Sequence, residues 1–129
     1  MTFPKSLSYA KTHEWIEPLG GGSYRIGLTD YAQRALGDVV FVNLPEPGDA
    51  LVEGEAFCDV ESVKAVSDVF SPLTGTVAEI NAALLDSPER INQDCYAAWL
   101  ITARADAPGA DWLDADAYAA LAEAEAKTH

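Results

Sequence analysis

One lysine stands alone in the middle of this chain: between Arg34 and Arg90, Lys64 is the only basic side chain, among carboxylates that run from Asp38 to Glu89 with Asp59, Glu61 and Asp68 nearest. An ammonium in so acidic a field can be one arm of a surface ion pair, worth ~0–1 kcal/mol. It can be an amine nucleophile, if burial or a neighbouring cation deprotonates it near neutrality. It can also be the address at which another enzyme attaches a group. The flanking carboxylates hold the ammonium charged, which argues against Schiff-base chemistry. A dedicated ligase meets no such conflict, because it brings its own base and can read the acidic rim. Local pattern alone ranks the ion pair first.

The remaining chemistry-bearing residues are less specific. A carboxylate pair involving Glu14 or Asp68 would suit acid–base catalysis, but sequence cannot bring two such groups together. His13 has no neighbour that forms a triad pattern and reads as a surface or hydrogen-bonded structural residue. Gly20-Gly21-Gly22 lacks the strand-then-helix setting of a phosphate loop. Cys58 and Cys95 have no metal or redox spacing, and Cys58 reads as a small apolar residue on the inner face of a strand.

The elements that must position Lys64 are two short strands. In Ala56-Phe57-Cys58-Asp59-Val60-Glu61, apolar and acidic residues alternate, and Val66-Ser67-Asp68-Val69-Phe70 is rich in β-branched and aromatic side chains. Ser71-Pro72-Leu73-Thr74-Gly75 then predicts a turn. A hairpin with Lys64 between its strands follows, although its tip lacks the Asn-Gly or Asp-Gly of a short turn.

Around this hairpin the chain reads as mainly β. Leu7 to Glu17 suits extended structure with Trp15 as core anchor, and the three glycines turn it into a return strand, Ser23–Leu28. Thr29 caps a helix over Asp30–Leu36 that Gly37 ends. Val39–Leu44 is continuous and apolar, suited to a strand covered on both sides. Further expectations are a strand at 76–80, one helical turn at 81–86 and a last strand at 98–103. A C-terminal helix at 113–126 should pack by Leu113, Ala117, Tyr118 and Leu121. The sum is one domain, 1–129, with a loose end at residues 1–6 and a flattened barrel or sandwich at its centre.

Glu61-Ser62-Val63-Lys64-Ala65, followed by Ser71-Pro72-Leu73-Thr74-Gly75-Thr76-Val77 with Gly75 eleven positions after the lysine, resembles the lipoyl-attachment hairpin of lipoyl and biotinyl carrier domains. With Thr29-Asp30-Tyr31-Ala32-Gln33 and Leu36-Gly37-Asp38-Val39-Val40-Phe41-Val42 in the same order, nearly the whole chain is similar to the H proteins of the glycine cleavage system. The pattern departs at Cys95 to Trp99, where the family's Pro-Tyr and Gly-Trp give way to Cys95-Tyr96 and a Trp99 one residue early, which implies a shortened loop.

The resemblance implies the lipoyl/biotinyl-carrier fold and lipoate held covalently on Lys64, added by a lipoate ligase or octanoyltransferase, with Glu61 helping recognition. It implies a non-catalytic carrier serving glycine decarboxylase (P protein), aminomethyltransferase (T protein) and dihydrolipoyl dehydrogenase (L protein). It further implies that Thr12, His13, Glu14 and Asp68 build a cleft for the loaded arm; the alternative is that Glu14 and Asp68 are ordinary exposed strand carboxylates. Two other functions remain open: a lipoyl relay to other complexes, and an acidic interaction module with an unmodified lysine.

Bulk properties fit these expectations. A chain of 129 residues suits one domain and buries roughly two-thirds of its unfolded surface. A net charge of −13 disfavours nucleic acid and anionic membrane, which call for basic clusters, and points to protein partners with basic surfaces. No apolar run approaches the ~20 residues of a membrane span, and residues 1–6 have no apolar or Arg-rich leader character. A monomer in a reducing, cytoplasmic (bacterial) setting is the expectation.

Overall fold

The computed structural model describes residues 1–107 and 111–127. Among the described residues, nine strands and four helices follow one another as β1 (Ser8–Tyr9), β2 (Glu14–Gly20), β3 (Ser23–Leu28), α1 (Asp30–Leu36), β4 (Val39–Asn43), β5 (Ala50–Leu51), β6 (Ala56–Ser62), β7 (Val66–Phe70), β8 (Thr74–Ile80), α2 (Ala83–Asp86), α3 (Arg90–Gln93), β9 (Ile101–Ala107) and α4 (Ala115–Lys127). Two antiparallel sheets result, one ordered β1-β2-β3-β9-β8-β5 and one ordered β4-β6-β7. They share a core and do not close into a barrel, so the expected flattened fold takes its sandwich form.

Alternation along the strands explains why the sheets face each other. Ile26 and Leu28 of β3, Val42 of β4, Val60 of β6, Val69 of β7, Val77 of β8 and Ile101 of β9 all enter one buried cluster. Removing a Leu or Ile of this kind from water stabilises the fold by about 1.5–3 kcal/mol each. A second cluster joins Leu7, Tyr9 and Trp15 to Ala115, Tyr118 and Ala122 of α4. This fastens the C-terminal helix to the first strands.

Local chemistry sets the element ends. The Thr29 hydroxyl accepts from the Ala32 N–H at 3.2 Å, and Gly37, at φ 77°, donates its N–H to the Gln33 carbonyl, as expected. Asp114 caps α4 by accepting from the Ala117 N–H at 2.8 Å.

Several expectations change. The extended run from Leu7 to Glu17 is broken by a turn in which His13 takes φ 78° and donates its N–H to the Ala10 carbonyl. Strand β4 is not covered on both sides: a bulge between Val39 and Phe41 leaves Val40 53% and Phe41 43% exposed. Gly75 belongs to strand β8 rather than to a turn, and α3 was not foreseen. The last strand begins at Ile101 because Ala98 to Leu100 stay irregular, with the Trp99 carbonyl accepting from the Asn81 side chain. In α4 the buried face is Ala115, Tyr118 and Ala122, while Ala117 is exposed and Leu113 lies before the helix as a bridge to Tyr9. The N-terminal residues have no regular structure, yet they are tied down. Phe3 packs edge-on to Tyr9 and Tyr118, and the Thr2 N–H donates to Asp30.

Candidate functional site

Lys64 lies, exposed, at the tip of the β6–β7 hairpin. Glu61 pairs with Val66, and the Ser62 N–H donates to the Ala65 carbonyl at 2.8 Å, which leaves Val63 and Lys64 as the two central residues of the turn. Neither has positive φ, so this is not one of the mirror-image turns that Asn-Gly serves. Ser62 substitutes for them: its hydroxyl oxygen accepts from the N–H groups of Lys64 and Ala65, each at 3.2 Å. A further N–H, that of Val63, donates to the Asp38 carbonyl at 3.0 Å and ties the tip to the loop after α1.

The side chain of Lys64 passes over Gly37. A Cβ added there would lie 2.9 Å from Lys64 Cε, so this glycine both permits a positive φ and leaves room for the lysine stem. Among the described residues Lys64 makes no ion pair. The surface ion pair that local pattern favours is absent among the described residues, and Lys64 is exposed.

Beside the hairpin, along the free edge of β7, runs a cavity of about 330 Å³. The turn before β2 supplies Thr12 and His13, the start of β2 supplies Glu14, α1 supplies Tyr31, Ala35 and Leu36, and β7 supplies Val66, Ser67 and Asp68. Sequence had named Thr12, His13, Glu14 and Asp68, and the fold brings all four to one cavity next to Lys64. It had not named the α1 wall, because Tyr31, Ala35 and Leu36 carry no chemical signal and come near only through tertiary packing. Glu61 does not line this cavity; it stands on β6 between Phe41 and Val66.

Glu14 and Asp68 differ sharply. Asp68 is exposed and faces Asp59 across the β6–β7 ladder, a like-charge pair that costs stability. Glu14 is 1% exposed. Its carboxylate accepts from the Thr12 hydroxyl and, at 3.4 Å, from the Phe70 N–H, with no cation against it among the described residues. Burial outweighs these bonds and pushes its carboxyl up to about 8. The bottom of the cavity therefore holds a carboxyl that lacks a positive partner.

His13 has a close partner at each ring nitrogen. Its Nδ1 lies 2.7 Å from the Tyr118 hydroxyl and its Nε2 lies 2.7 Å from Glu125 Oε2. Burial holds the imidazole below its ordinary value, against the pull of Glu125. The structural role expected of it is the one it has. Cys58 packs half-buried behind Glu14, and burial raises its thiol far out of the reactive range. At the altered loop, the buried Cys95 offers its carbonyl to Trp15 Nε1 at 3.1 Å, and Trp99 stacks under Arg25.

Known proteins were compared with this chain. The family model described as "Glycine cleavage H-protein" matches residues 7–125. The glycine cleavage system H protein of Nitrosomonas europaea is 47% identical over 128 residues, 98% of this chain and 99% of its own. That of Acidobacterium capsulatum is 46% identical over 127 residues, 97% and 98% of the two chains. The solved structure of a glycine cleavage system H protein from Mycobacterium marinum aligns with a TM-score of 0.86 at 42% identity, over 92% of this chain and 97% of that one.

Proposed function

The chain belongs to the glycine cleavage H-protein family, and on that premise we propose that Lys64 carries a lipoyl group by which the protein moves an aminomethyl group derived from glycine between separate enzymes. The observation that carries this reading is the adjacency of an exposed, unpaired Lys64 and a cavity with Glu14 at its base.

The residues fit such a group. A two-residue turn with an outward amine can enter a ligase active site, and the acidic strands behind it offer that enzyme a charge to read. Once acylated, Lys64 loses its charge, and tethering keeps the cargo at high effective concentration near each partner. When attached to Lys64, lipoate would supply a dithiol/disulfide pair whose sulfur can carry the aminomethyl group.

Glu14 and Thr12 do the protein's share of the work. A cationic amine brought into the cavity supplies the positive partner that Glu14 lacks, and the resulting charge-assisted hydrogen bonds hold it. Asp68 at the rim adds a second carboxylate. The apolar lining of Leu28, Leu36, Val60 and Val69 limits water, which suppresses loss of ammonia in transit. None of these groups breaks a bond, so the chain acts as a carrier and not as an enzyme. Its partners in this reading are glycine decarboxylase, aminomethyltransferase, dihydrolipoyl dehydrogenase and a lipoate ligase or octanoyltransferase.

Reconstitution tests it. Lipoylated protein mixed with those three glycine cleavage enzymes should support glycine-dependent reduction of NAD, and Lys64→Arg, which cannot be acylated, should support none while keeping its fold. Full activity of Lys64→Arg would overturn the assignment.

A further inference from the structure

Resting on the cleft reading above, we propose that Tyr118 is a positioning residue for the arm cleft: through His13 it locks the turn bearing Thr12 and Glu14 to both α1 and α4. Three separate segments meet at its hydroxyl. Nδ1 of His13 lies 2.7 Å away on the turn, and the Thr29 hydroxyl lies 2.7 Å away at the cap of α1. Tyr118 itself belongs to α4 and is fully buried.

With a neutral imidazole the donors in this series run one way. The Glu125 carboxylate can only accept, and its Oε2 lies 2.7 Å from Nε2, which favours the imidazole proton on Nε2. In the neutral imidazole, the form that burial favours, Nδ1 then accepts, and the Tyr118 O–H donates to it. With that proton committed, the Tyr118 oxygen accepts from the Thr29 hydroxyl, whose oxygen in turn accepts from the Ala32 N–H at 3.2 Å.

A lock is needed here because the turn is strained. His13 is the one non-glycine residue at positive φ among those described, and such a conformation persists only where its surroundings over-determine it. Its backbone donates to the Ala10 carbonyl at 3.0 Å and accepts from the Thr29 N–H at 3.2 Å. Its ring is held by Tyr118 and Glu125. Residues 12 and 14 on either side are those that meet the cargo.

The hydroxyl can be separated from the packing. Tyr118 stacks on Tyr9 with centroids 4.7 Å apart and planes at 11°, and Tyr118→Phe keeps that stack while deleting the lock. In the unmodified full-length protein, Tyr118→Phe should speed amide hydrogen exchange at His13 and Thr29 about tenfold, with little change at core amides such as Val60. Glu125→Leu, at a half-exposed position, should speed the same two amides several-fold, and Glu125→Gln, which still accepts, should restore them. In lipoylated protein carrying the aminomethyl group, ammonia release should be several-fold faster for Tyr118→Phe than for wild type. Unchanged exchange at His13 and Thr29 in both Tyr118→Phe and Glu125→Leu would overturn the lock. Faster exchange with an unchanged rate of ammonia release would keep the lock and overturn its role in sheltering the cargo.

Discussion

Glu14 concentrates the chemistry of this protein into one side chain, and its position makes a pH-dependent statement about stability. The folded chain raises its carboxyl from an ordinary value of 4.5 to about 8. Below the lower value it is protonated in both states and its burial is not penalised. As pH rises through that window the unfolded chain releases a proton that the folded chain retains, so stability falls. Glu14→Gln mimics the protonated form. It should match wild type in urea unfolding near pH 4 and exceed it near pH 8.5, by on the order of a few kcal/mol at most. An equal difference at the two pH values would mean that Glu14 is not a buried, unpaired carboxyl. Alternation along Leu7–Glu17 could not have revealed this, since the same pattern suits an exposed strand carboxylate. What buries Glu14 is the left-handed turn at His13 and the edge of β7, both remote from any local signal.

Elements whose ends are set by neighbouring residues were readable from sequence. Helix α1 is bounded by the Thr29 cap and by Gly37, and the β6–β7 hairpin falls where its residue types predict. Elements shaped by distant contacts were not. The bulge in β4 exposes Val40 and Phe41, which a continuous apolar run cannot foretell. Gly75 makes the same lesson quantitative. It sits in β8 beside a register shift against β9, and a Cβ there would lie 2.0 Å from the Arg104 carbonyl oxygen and 3.0 Å from Ala105 Cα. The glycine is required for the close approach of two strands rather than for a turn. Gly75→Ala should therefore destabilise the protein by about 1–3 kcal/mol or more, whereas a turn glycine in open space carries no such clash. Unfolding in denaturant with an unchanged midpoint would contradict this.

The whole molecule carries a net charge of −13, and Lys64 is the only basic residue on the three-stranded sheet or its hairpin. The outer face of that sheet sets Phe41, Glu61 and Val66 in one row and Asn43, Asp59 and Asp68 in the next. An enzyme that reaches Lys64 therefore approaches across a field of one sign. Attraction of this kind acts on association rate and is screened by salt. Glu61→Gln should lower the rate of lipoylation two- to fivefold at low ionic strength, as an order-of-magnitude expectation from those screening lengths, and the gap should close as salt is added. A rate equal to wild type at low salt would leave Glu61 as a solvated strand residue.

The central claim is that Lys64 is the single attachment point of a carrier arm. Intact mass and peptide mapping of the natively produced protein test it most directly. One lipoyl amide, located on Lys64 and lost in Lys64→Arg, is the result predicted. An unmodified Lys64, or a lipoyl group on Lys5, Lys11 or Lys127, would contradict it.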